Sequence, residues 1–223
     1  MQTQGDTRPR RLPGESRLKA KVLTMGAVLR VRTVLLSTMA GVLCVALAGC
    51  PNAAIVIFPD EGLETAVRTQ LRQPFGFITA GDLLQLRTLD ARNFNIRDLR
   101  GLENATNLTS LDISTDVALQ NSVRDLTPLA DLTNLRFLDV ENNDITDITP
   151  IAGLFNLDEL YMAGNPIFNI GPLVANAENG GLGAGDSVSL TRDTLLDDQG
   201  ETSEIVAQQL NRLVDLGVDV ILV

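Results

Sequence analysis

The stretch Leu135-x-x-Leu138-x-Val140-x-x-Asn143-x-Ile145-x-Asp147-Ile148-x-Pro150-Ile151-x-x-Leu154 repeats 22 residues on. The second copy reads Leu157-x-x-Leu160-x-Met162-x-x-Asn165-x-Ile167-x-Asn169-Ile170-x-Pro172-Leu173. A fixed period of this length marks a solenoid, in which each unit buries its apolar face only against its neighbours. Within the unit, Leu-x-Leu alternation makes a short strand with one buried face, and stacked identical strands form a parallel sheet. The Asn turns the chain sharply after the strand and can bond backbone groups of the adjoining coil. The Ile-x-Asp-Ile and Pro-Leu positions line the back of the same core.

Upstream, Leu108, Leu111, Ile113, Val123, Asp125, Leu126, Pro128, Leu129 and Leu132 fit the frame after a five-residue insertion around 114–120. A first copy runs Leu86, Leu89, Ala91, Ile96, Asp98, Leu99 and Leu102, with Phe94 where the Asn belongs. Downstream, the pattern breaks into Val174–Asp186, rich in Gly and Asn. Val188, Leu190 and Leu195 then resume it, in line with Leu160, Met162 and Ile167. Residues 203–216 follow as a helix with Val206, Leu210, Leu213 and Val214 on its face and Gly217 as its stop. Val218–Val223 reads as a strand.

These repeats resemble the 22-residue, internalin-like class of bacterial leucine-rich repeats. The flanks agree. Phe58-Pro59-Asp60 followed by Leu63-Glu64-x-x-Val67 is similar to the N-terminal cap of that family, with an amphipathic helix over about residues 60–72 carrying Leu63, Ala66, Val67 and Leu71. Thr79-Ala-Gly-Asp82 reads as a capping box opening a second short helix. The resemblance implies an α/β fold: a short leucine-rich-repeat solenoid of about four coils, its parallel sheet on the concave face. A helical cap over 55–85 precedes repeats over 86–200, and a helix-strand cap over 201–223 closes the end.

In this frame the outward strand residues form columns. The central one is Asp90, Asp112, Asp139, Tyr161 and Ser189. Beside it stand Arg92, Ser114, Glu141, Ala163 and Thr191 on one side, and Thr88, Ser110, Phe137, Glu159 and Ser187 on the other. Neighbouring strands lie about 4.8 Å apart, so successive carboxylates repel by about 1 kcal/mol even in water, and a cationic partner would relieve that. Asp at these positions is equally the solvated residue usual for the repeat class. The candidate partner-binding residues are Arg92, Asp112, Phe137, Asp139, Glu141, Glu159 and Tyr161.

Composition narrows the chemistry. The chain contains no His and no Trp, so Ser-His-Asp and Cys-His nucleophiles and imidazole metal sites are excluded. Carboxylate hydrolysis survives as a possibility, although no pocket that would raise one carboxyl's pKa is visible in the sequence. No cofactor is expected. Glu141-Asn-Asn-Asp144-x-x-Asp147 lacks the Gly and final Glu of a calcium loop and reads as the repeat turn. Gly181-Leu-Gly183-Ala-Gly185 precedes a strand instead of following one, so it is no dinucleotide loop. Asn104-Ala-Thr106 and Asn107-Leu-Thr109 are glycosylation sequons only in a eukaryotic secretory context.

Charge divides the chain. Residues 1–50 carry eight basic and two acidic side chains; the remainder carries ten Arg, no Lys and 26 acids. The formal net charge of −10 therefore hides an acidic domain that phosphate backbones would repel. After the basic stretch comes the uncharged run Thr33–Ala48, whose sixteen residues are short for a membrane span but suit a signal-peptide core. It ends in Leu47-Ala48-Gly49-Cys50. Here the chain resembles a bacterial lipoprotein precursor, since these four residues match the lipobox in every position. The resemblance implies that 1–49 are removed, with the Cys50 thiol receiving diacylglycerol, and that 50–54 form a short linker. Small residues at 48 and 49 fit a peptidase, and a thiol is the strongest nucleophile available for lipid transfer. An ordinary signal peptide or anchor with an incidental Cys50 is the alternative. Met25 followed by Arg30 and Arg32 would give a leader of ordinary length, placing residues 1–24 upstream of the start. Cys44 lies in the leader, so the remainder keeps no cysteine for a disulfide.

Two functions follow as expectations. In the first, a monomeric, non-catalytic lipoprotein of the bacterial cell envelope binds a protein or peptide, a basic one by charge, across the concave face. In the second, it is a structural or adhesive component holding polysaccharide or a surface layer. Pro51 stands where Asp would favour inner-membrane retention, which points to the outer membrane or cell surface.

Overall fold

The computed structural model describes residues 53–116, 121–192, 195 and 202–223, all within the compact unit Pro51–Val223. Cys50 and the lipobox lie outside the described residues. The repeat period is realised as one six-stranded parallel sheet in sequential order: β1 (Thr88–Asp90), β2 (Ser110–Asp112), β3 (Phe137–Asp139), β4 (Glu159–Tyr161), β5 (Ser187–Leu190) and β6 (Asp219–Leu222). Leu89, Leu111, Leu138, Leu160 and Val188 stand in register, each at 1% exposure or less. Three-residue strands suffice because every inward side chain stacks on its equivalents in the next coils. The backs of the coils are the 3₁₀ turns Leu102–Asn104, Thr127–Leu129 and Thr149–Gly153. The turn-forming backbone is held by a recurring Asx bond: Asp98, Asp125, Asp147 and Asn169 each accept the N–H two residues on, at 2.8–2.9 Å.

The Asn positions form a buried ladder. Asn143 accepts the Val123 N–H and Asn165 the Ile145 N–H, both at 3.0 Å, while their amide groups donate to carbonyls of their own and the preceding coil. The insertion in the second coil leaves the ladder intact, because Asn121 accepts the Ile96 N–H at 2.8 Å and donates to Ala91 and Ile113. In the first coil Phe94 cannot do this work and the ladder ends at Asn121, while Asp60 of the N-terminal cap makes a different bond to this coil. Its Oδ2 accepts the Arg97 N–H, while its Oδ1 caps helix α1 (Glu61–Leu71) at Leu63. Close seating of α1 requires Gly62, where a Cβ would overlap the Phe94 carbonyl oxygen. The Thr79–Asp82 capping box opens α2 (Ala80–Leu83), which leads into β1.

The Gly- and Asn-rich break contains a helix that the sequence pattern did not reveal, α3 (Gly171–Glu178). Pro172 sits in its first turn, Leu173 and Ala177 face the core, and the third buried residue is Asn176. That side chain donates to the carbonyls of Ile151, Ala152 and Leu154 and accepts the Leu182 N–H. The closing helix α4 (Glu204–Asp215) buries Val206 and Leu213 and half-buries Leu210. Val214 is a correction to the expected face: it is exposed, since at the end of the solenoid α4 meets neighbours on a narrow stripe only. Gly217, at φ +91°, turns the chain into β6, which pairs with β5 and so extends the sheet itself.

Candidate functional site: the concave carboxylate and aromatic face

Strand registry brings the expected columns together. Asp90, Asp112, Asp139, Tyr161 and Ser189 are consecutive partners, as are Thr88, Ser110, Phe137, Glu159 and Ser187. Two residues do not project freely: Ala163 and Ser189 are buried, a correction to their outward reading. Ser189 nonetheless belongs to the site, because its hydroxyl donates to Glu141 Oε1 at 2.8 Å. The small Ala163 next to Glu141 in its column leaves room for that reach. Ser189 was visible as a column member, but its grip on Glu141 follows only from the side-chain path.

The face has two electrostatic halves. At its N-terminal end Arg92 contacts Asp90 Oδ2 at 2.8 Å and Asp112 Oδ2 at 3.3 Å, so repulsion there is relieved within the chain. The Arg92 hydrogen bond holds the Asp90 carboxyl below its ordinary range and raises the guanidinium's own pKa. Ser114 donates its hydroxyl and its N–H to Asp112 Oδ1. Arg92 and Asp112 therefore serve each other.

The other half has no such cation. Among the described residues, Asp139, Glu141 and Glu159 make no ion pair. Asp139 accepts the Glu141 N–H at 3.0 Å. Phe137 and Tyr161 meet diagonally across β3 and β4, ring centroids 5.7 Å apart and tilted by 49°. The Tyr161 hydroxyl donates to Glu159 Oε2 at 3.0 Å, which raises its pKa.

Half-burial pushes the Asp139 carboxyl up to about 6, opposed by the Glu141 N–H and reinforced by the charges of Asp112 and Glu141. Nothing in the sequence suggests a pocket that would raise a carboxyl, and the shift here comes first from burial in the folded sheet. The folded chain holds this proton more tightly than the unfolded one, whose carboxyl titrates near 3.8. Asp139 thus contributes stability below about pH 4, and that contribution is lost as pH rises through about 6. Discounted for solvent screening, Asp139→Asn is expected to be about 1–2 kcal/mol better placed relative to wild type at neutral pH than at about pH 4. Urea unfolding of both proteins at the two pH values measures this. A pH-independent difference would show an unperturbed carboxyl.

The calcium-like segment is fully employed elsewhere. Asn142 takes the left-handed conformation, Asn143 is a ladder residue, Asp144 pairs with Arg124 and Asp147 holds the Thr149 N–H. Among the described residues no cluster of three carboxylates is placed to hold a metal ion.

The geometry matches known folds. An internalin (InlF) of Listeria monocytogenes superposes with a TM-score of 0.58 at 24% identity, over 78% of this chain and 54% of its own. The chain thus spans about half the length of that protein. Internalin C2 of the same species, at 23% identity over 75% of this chain and 87% of its own, gives a TM-score of 0.35. A structure holding the CBM51-2 and INT domains of Clostridium perfringens ZmpB is 38% identical over 42% of this chain and 19% of its own, with a TM-score of 0.36. The first alone carries the fold: an internalin-like leucine-rich-repeat solenoid. No protein-family model matches the chain, and a comparison with curated proteins finds no match.

Proposed function

We propose that the chain is a non-catalytic, lipid-anchored protein of the bacterial cell envelope that binds a basic protein or peptide on its concave face. The observation that carries the reading is the unpaired half of that face. Asp139, Glu141 and Glu159 lie beside the Phe137–Tyr161 pair and make no ion pair among the described residues. A partner's Lys or Arg would supply the missing charge, and the rings would supply apolar anchors. Residues 1–49 are the leader, and Cys50 is the first residue of the lipidated protein. No helix among the described residues is long and apolar enough to cross a membrane, and on this reading the acyl chains hold the protein there. With Pro51 after the cysteine, the outer membrane or surface is the expected location.

Two measurements test this. The wild-type chain is expected to take up label from a fatty-acid precursor and the Cys50→Ser chain to take up none; an unlabelled wild type removes the anchor. Crosslinking in intact envelopes is expected to recover one saturable protein partner through the concave face. Recovery of envelope polysaccharide instead would transfer the face to a structural or adhesive role.

A further inference from the structure

The N-terminal cap exposes four large apolar side chains that no part of the concave site uses. Ile57 is 80% exposed, Phe75 86%, Phe77 63% and Ile55 45%. Ile55 bridges Thr79 in antiparallel fashion, with Val56 donating to Ile78 and Ala80 to Ala54. Side chains alternate across such a pair, so Val56 and Ile78 turn to the core. The same register carried two residues further sets Ile57 opposite Phe77 on the outer side with Ile55. Phe75 stands in the bend just before them.

This exposure is built into the loop. Arg68 donates to the carbonyls of Gln73 and Gly76, and Gln73 donates to that of Phe77. The loop is thereby held in the shape that presents both rings to solvent. Its charge is also out of character for the domain. Residues 51–59 carry no charged side chain, and 65–81 carry Arg68 and Arg72 with no acid. The flanking acids are engaged within the cap: Glu64 with Arg68 at 2.7 Å, Asp82 with the N–H and hydroxyl of Thr79, and Asp60 with the N–H groups of Leu63 and Arg97.

Chain length says what lies opposite. Only Pro51, Asn52 and Ala53 separate Cys50 from Ala54, whose carbonyl is bonded to Ala80. Four extended residues reach no more than about 14 Å. Acyl chains on Cys50 therefore keep this edge of the cap within about that distance of the headgroups. A net-acidic domain anchored there needs an apolar edge whose acids are already engaged to approach an anionic bilayer.

We infer that the Ile55, Ile57, Phe75 and Phe77 patch is a bilayer-docking surface that seats the cap in the membrane interface. This rests on lipidation at Cys50 and adds to it an orientation that a flexible tether alone would not impose.

The chain has no Trp, so Phe75→Trp provides a single fluorescent reporter, and Phe155→Trp provides a matched one in the exposed turn before β4. Each full-length variant is purified from bacterial membranes and reconstituted in vesicles of phosphatidylethanolamine and phosphatidylglycerol, with and without brominated phosphatidylcholine. Docking at a depth of about 5–10 Å is expected to blue-shift the emission of the Phe75→Trp variant and quench it by roughly half, leaving the Phe155→Trp variant unchanged. If the protein floats with the vesicles while the Phe75→Trp emission stays unquenched and open to acrylamide, the docking surface is overturned and the anchor stands. Emission from that variant that lipid does not quench, but that becomes shielded as protein concentration rises, would assign the patch to a second copy, again overturning it. Protein that fails to float removes the anchor, and the docking surface with it.

Discussion

Asn165→Ala is expected to lower the free energy of unfolding by about 3–4 kcal/mol, and the equivalent Asn143→Ala by only about 1–2 kcal/mol, although the two occupy the same repeat position. The difference lies in what each deletion leaves behind. Asn165 alone accepts from the Ile145 N–H and alone donates to the Met162 carbonyl, so both buried groups lose a partner. Val140, its third contact, keeps the Asn143 amide at 3.1 Å. Removing Asn143 orphans the Val123 N–H, but the carbonyls it served are covered: Ile113 by Asn121, Val140 by Asn165 and Glu141 by Thr115. Urea unfolding gives the totals, and hydrogen exchange at the Ile145 amide locates the loss. Equal costs would mean that water enters the vacated site and that the ladder adds little beyond packing.

That asymmetry shows where sequence reading reaches and where it stops. The strand registry was legible because one slip would turn every Leu of the coil to solvent, so the 22-residue period fixes both the pairing and the columns on the concave face. Helix α1 was legible for a similar reason, with Leu63, Ala66 and Val67 on one face. Helix α3 was hidden because its third buried residue is polar: Asn176 interrupts the apolar period while answering four backbone groups. Asp60 reads as the first residue of the helix that it in fact caps, and its second bond, to Arg97, joins groups 37 residues apart and has no local signature.

At the site, positions were legible and energetics were not. The sequence placed Asp90, Asp112 and Asp139 in one column. The fold separates them through Arg92, whose guanidinium reaches two strands but not the third. The Asp139 carboxyl is instead half-buried beside Tyr161, and its shift up to about 6 comes from that burial first. A column of like residues therefore ends as a half in which one guanidinium bridges two carboxylates and a half whose carboxylates make no ion pair among the described residues.

Glu141→Lys with Glu159→Lys is expected to weaken capture of the proposed basic partner about 100-fold, chiefly through slower association and most strongly at low ionic strength. The pair is chosen over reversal at Asp139 because a half-buried ammonium there would cost stability as well as binding. Glu159 is exposed, and Glu141 gives up only the Ser189 hydroxyl, so melting curves are expected to stay close to wild type. Tyr161→Ala removes an anchor rather than a charge and is expected to cost about tenfold, mainly in dissociation rate. Asp131→Lys, in the exposed turn on the convex side, makes a matched change of charge and is expected to alter neither rate appreciably. The pH dependence separates this face from generic attraction to an acidic domain. A cationic partner favours the ionised form of Asp139, so binding expels its proton, and affinity is expected to rise from about pH 5 to about pH 7. Asp139→Asn is expected to flatten that rise. A convex substitution that abolished capture while the concave pair left it intact would move the binding surface to the other side of the solenoid.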